Sequence, residues 1–177
     1  MQEFFTEILL PVKYGLLFAL LTLVYGFGLG GTFGAFEENI KEHLKNNARE
    51  VLATTYNGDE TAMKKITDKS WVYFKRAHLH ANGLGTASVI LIILVSFLPI
   101  SNKVKSINAV FLGVGSLGYS LFWMFAGLKA PGMGSTGLAK ESLAWIALPS
   151  SGLCIVGLIM IVALVIISLF VKGKKQT

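Results

Sequence analysis

The sequence predicts an all-α integral membrane protein, with four transmembrane helices and a helical hairpin extension between spans one and two. Three observations carry this reading. The 177 residues are 53% hydrophobic and only 15% charged, whereas about a quarter of the residues in soluble domains are charged. Four apolar runs each reach the roughly 20 residues that cross about 30 Å of hydrocarbon. Between the first two lies the only sizeable polar segment, and it is rich in good helix formers. Residues 1–177 are read as a single four-helix membrane domain that includes an extramembrane hairpin at 37–76.

The chain opens on "MQEFFTEILLP", where Phe4, Phe5, Ile8 and Leu9 fall near one helical face. This predicts a short interfacial helix, with Pro11 at its junction with span one. Glu3 and Glu7 stand where a cleavable signal would carry positive charge, so span one is expected to be retained as an anchor. Span one runs from Leu9 or Leu10 to about Phe36, span two from Ala81 to Ile100, span three from Ile107 to Leu128 and span four from Leu143 to Val171. In the polar segment, Ile40, Leu44, Val51 and Leu52 form one apolar stripe, and Met63, Ile66, Ser70 and Phe74 continue another. Asn57-Gly58 is the predicted turn and Asp59 the predicted N-cap. Lys129 to Ser142 reads as a loop around Pro131, Gly132 and Gly134, in which Ser135 or Thr136 caps a short turn.

The net charge of +6 is not a nucleic-acid footprint, because the basic residues lie between spans and at the C-terminus, beside lipid headgroups. Lys103 and Lys105 in one link, and Lys172, Lys174 and Lys175 in the tail, have no acid among them. They place the termini in the cytoplasm and the hairpin outside, as in a multi-pass protein of a cell inner membrane or plasma membrane. The lone Cys154 excludes an intrachain disulfide and a thiolate metal centre.

Gly26, Gly30 and Gly34 repeat every four residues in span one, a doubled small-xxx-small face that lets another backbone approach closely. Two uses compete for that face. One is tight packing, within the unit or between protomers of a homo-oligomer or membrane complex. The other is room for a flat cofactor, a quinone or a lipid. The aromatic stretch Tyr119 to Gly127 is a candidate quinone wall, and Pro149 followed by Ser150, Ser151 and Gly152 predicts a kink or cavity in span four.

The candidate chemistry lies at the hairpin-side mouth, where Glu37, Glu38, His78, His80 and Glu141 cluster in prediction, with Glu42 and His43 farther out. A hairpin turning near residue 58 pairs position 38 with about 78, and position 36 with about 80. Glu38, His78, His80 and Glu141 are therefore the predicted metal ligands, since imidazole and carboxylate suit a transition metal such as Zn, Cu or Fe. His78 and His80 are two apart, however, and on an unbroken helix point about 200° away from each other. Haem b is the alternative occupant, with His43 facing His78 or His80 across the hairpin. In that register His43 and His78 miss each other by about 7 Å of helix rise. The sequence contains neither HExxH nor ExxH, and no phosphate loop or catalytic triad. Two functions follow as expectations. One is a small metal- or haem-binding redox protein or redox-complex subunit with its site near the extracytoplasmic face. The other is a non-enzymatic structural or assembly subunit, and an oligomeric transporter is a third reading.

Overall fold

The computed structural model describes residues 2–171, and the basic tail at 172–177 lies outside them. A short helix α1, Gln2–Leu9, leads through a 3-10 turn, Leu10–Val12, into α2, Lys13–Glu50. A single turn α3, Leu52–Thr55, precedes α4, Glu60–Phe97. Helix α5 spans Asn102–Met133, α6 Thr136–Glu141 and α7 Ala144–Ile166, with a π-turn at Ile167–Val171. The described residues contain no strand, and four helices are long and apolar enough to cross a membrane.

The hairpin forms as expected, because α4 without a break, and α2 across one non-helical residue at Phe36, continue from bilayer-length apolar stretches into polar arms. Asn57 (φ 51°) and Gly58 (φ 78°) take left-handed conformations that tolerate a tight reversal. The Asp59 side chain then accepts from Thr61 N at 2.8 Å and Ala62 N at 2.9 Å. Such a cap contributes about 1 kcal/mol to its helix. At the tip, the buried Tyr56 hydroxyl donates to the Pro131 carbonyl at 2.6 Å, and burial raises its pKa.

The expected loop at Lys129–Ser142 is mostly helix. Helix α5 continues through Pro131 to Met133 and stops at Gly134, whose φ of +59° suits a residue without Cβ. Ser135 caps α6, accepting from Leu138 N at 3.2 Å. On the opposite side of the bilayer, Lys105 Nζ donates to the Ser96 carbonyl at 2.7 Å. It thereby satisfies a backbone acceptor in the last turn of α4.

Helix α5 is the hub, because it packs against α2, α4 and α7. Half (50%) of its most apolar stretch is buried, against 17% for α7, which rests almost wholly on α5. Lipid gives helices no hydrophobic reason to associate, so close backbone approach must hold them. Small residues provide it. Gly113 on α5 meets the Gly15 carbonyl of α2, and a Cβ on Gly115 would stand 2.8 Å from the backbone nitrogen of Cys154 on α7. Buried polar groups add ties between the helices. Asn108 Nδ2 donates to the Gly157 carbonyl at 2.8 Å, Ser88 donates to the Leu112 carbonyl at 3.2 Å, and the Thr22 and Ser116 hydroxyls lie 3.3 Å apart.

Candidate functional site

The two histidines of α4 face different helices. His78 points at α2, where Nδ1 lies 2.8 Å from the Gly26 carbonyl oxygen and the ring meets Phe33 at 5.9 Å. A carbonyl oxygen can only accept, so the proton of this bond belongs to Nδ1. Asn82, one turn along α4, donates its amide to the His78 carbonyl at 3.0 Å. Gly26 and Gly30 make this seat possible. A Cβ on Gly30 would stand 2.8 Å from His78 Cε1, and one on Gly26 would stand 2.9 Å from Asn82 Oδ1.

His80 turns instead toward α5. Its ring lies 5.1 Å from Tyr119 and 6.0 Å from Trp123, stacked on the latter. One turn earlier, the Arg76 guanidinium covers Trp123 at 4.8 Å and Tyr73 at 5.5 Å. Tyr73 meets Trp123 edge-on at 5.0 Å. Tyr73, Arg76 and His80 are spaced by three and four, which puts them on one face of α4. Trp123 and Tyr73 are residue types common in the headgroup belt, but here they are core residues, 9% and 2% exposed. The indole Nε1 of Trp123 is buried with no hydrogen-bond partner. Trp145, at 72% exposure, has the accessibility of a belt residue.

The predicted four-residue metal group does not assemble within this chain. His78 sits level with Gly30, and Asn82 with Gly26, so both pairs are centred on residue 54 instead of on the turn at 58. Glu38 lies eight residues beyond Gly30 on α2, about 12 Å of helix rise away. It is 86% exposed and bonds Lys41 at 3.1 Å. Hydrogen bonds that Lys41 donates to Glu37 and then Glu38 raise the Lys41 pKa. Glu141 is exposed at the end of α6, and Glu42 is exposed on the outer arm. Among the described residues, no three His, Cys, Asp or Glu side chains converge as metal ligands.

The same register separates the proposed haem pair. His43 lies thirteen residues beyond Gly30, about 20 Å of rise, and its exposed ring meets Asn47 at 3.3 Å. The glycine repeat also divides, since Gly26 and Gly30 receive Asn82 and His78 while nothing lies within 4 Å of a Cβ on Gly34. Around Pro149 the helix continues, with the Ser150 hydroxyl donating to the Ile146 carbonyl at 2.6 Å. Ser150 itself packs against Gly118 of α5. No family model, curated protein or solved structure matches this chain.

Proposed function

We propose that this multi-pass membrane protein is a non-enzymatic assembly subunit, joined to its partners or to further copies of itself through the free glycine face of α2. One observation carries the reading. Gly28, Gly31 and Gly34 have no atom within 4 Å of where a Cβ would stand, whereas Gly15, Gly26 and Gly30 of the same helix are filled by α4 or α5. An exposed run of glycine gains little from lipid tails but lets a second helix approach closely. The basic link and tail support termini in the cytoplasm and the hairpin outside, in a cell inner or plasma membrane.

Gly31→Leu tests this on the open side of α2, because a Cβ there has no neighbour within 4 Å. Energy transfer between labelled copies, or between the chain and a co-purifying partner, should report an association constant at least about tenfold weaker, the effect of 1.4 kcal/mol. Unchanged association would remove this face from the reading.

A haem- or metal-centred redox role is the second reading, and the His78 bond favours it. In a neutral ring that donates from Nδ1, the Nε2 lone pair is the one that can bind metal. The other candidate ligands diverge, so a second copy would have to supply the partner ligand. Protein purified from haem- and metal-replete cells should then show a Soret band or stoichiometric metal that His78→Ala abolishes. Colourless, metal-free protein that still associates would leave the assembly role alone.

A further inference from the structure

The outer arms of α2 and α4 enclose a cleft of about 590 Å³ on the hairpin. Its apolar part is formed by Leu44, Met63 and Trp71, the first two buried. Lys41, Lys45 and Arg49 line its α2 edge at successive four-residue steps. Lys64 and Lys75 complete five cations against two carboxylates, Glu60 and Asp68. Lys41 is satisfied by Glu37 and Glu38, and Lys64 by Asp68 at 2.6 Å. Lys45, Arg49 and Lys75 have no ion-pair partner among the described residues.

We propose that this cleft is a docking groove for an acidic amphipathic helix of a partner protein. Charge complementarity selects the occupant's sign, and the layout selects its form. The cations are strung along about 12 Å of helix rise from Lys41 to Arg49, so they do not converge on a point. A small anion would reach one or two of them, while acids repeated every four residues match the whole row. The groove also runs along the polar arms toward Leu52 and Glu60 at the hairpin tip, away from the apolar spans. Leu44, Met63 and Trp71 take the apolar stripe of the incoming helix, as in other helix-in-groove complexes. The proposal is independent of association through the α2 glycines.

The experiment uses the full chain in phosphatidylcholine nanodiscs and three labelled helical peptides sharing one Leu/Phe stripe. The first carries Glu at four-residue steps, the second Gln and the third Lys at the same positions. Anisotropy should show binding of the Glu peptide alone, lost when salt is raised to about 1 M, where the Debye length is about 3 Å. The double change K45E/R49E should weaken that binding about tenfold or more, while K69E, on a residue outside the groove, should not. Equal binding of the Gln peptide, no binding of the Glu peptide, or equal loss in K69E would overturn the proposal. So would displacement of the Glu peptide by dioctanoyl phosphatidylglycerol, which would assign the groove to lipid. A mass doubling lost in K45E/R49E without peptide binding would assign it to a second copy. Should K45E/R49E misfold, the Glu-against-Gln comparison on the unaltered protein still decides.

Discussion

Gly113→Leu is expected to cost the bundle about 3 kcal/mol, the upper end of what overpacking a core costs. A Cβ at this position would overlap the Gly15 carbonyl oxygen and stand 3.1 Å from Phe18 Cβ. The obstacle is backbone, so no rotamer change relieves it and α2 must move away from α5. That movement would also separate the Thr22 and Ser116 hydroxyls, now 3.3 Å apart. Cys154 is the chain's one cysteine and is partly buried, so a thiol-reactive dye added during heating reports unfolding from a single place. The midpoint should fall by about 6–12 °C, on the scaling of 2–4 °C per kcal/mol for a chain of this size. Gly28→Leu, on the open face of the same helix pair, should leave it unchanged. Equal midpoints for both variants would mean that α2 and α5 do not meet through Gly15 and Gly113.

Trp123→Ala is expected to cost about 3–5 kcal/mol, the range for removing a large aromatic side chain from a core. The indole touches Tyr73, His80, Tyr119 and Phe122, with Arg76 above it. Its loss leaves a hole where α4, α5 and α7 meet, because Ile146 and Ala147 of α7 pack against the same cluster. Near-ultraviolet circular dichroism should collapse at that position while helix content persists. Trp123→Phe separates packing from hydrogen bonding, since it keeps an aromatic ring and removes the unpartnered N–H. It should cost less than about 1.5 kcal/mol, as volume-conserving changes do. A Phe variant as damaged as the Ala variant would show that the indole N–H has a partner.

The spans and the hairpin were legible because hydropathy, helix propensity and the Asn57-Gly58-Asp59 signal all act locally. The register between the arms was not legible, and the site prediction depended on it. Equal rise about residue 58 assumes that both arms climb straight to the turn. Instead, Val51 leaves the helix (φ −112°, ψ 14°), α3 becomes part of the reversal, and Phe36 adds a second non-helical step (φ −134°, ψ 23°). Neither residue carries a breaker signal in the sequence. The divergence of His78 and His80, by contrast, followed from helical geometry alone. The role of Trp123 was missed because belt and core aromatics share one composition. Tyr73, Arg76 and His80 on one face, opposite Tyr119 and Trp123, were the spacing that could have revealed it.

The seating of α7 chiefly on α5 has a consequence for biogenesis. Chains are made from the N-terminus, and earlier segments can assemble while later ones are still being synthesised. Helices α2, α4 and α5 all touch one another, so the three can associate before residues beyond 143 are made. The last span then docks onto the surface of those three. A chain arrested in the short connection before α7 would lack Ile161 in its core and leave Asn108 and the Gly115–Gly118 notch open to lipid. An uncovered carboxamide in hydrocarbon is costly. That flank would mark the unfinished chain for any quality-control factor that samples polar groups within the bilayer.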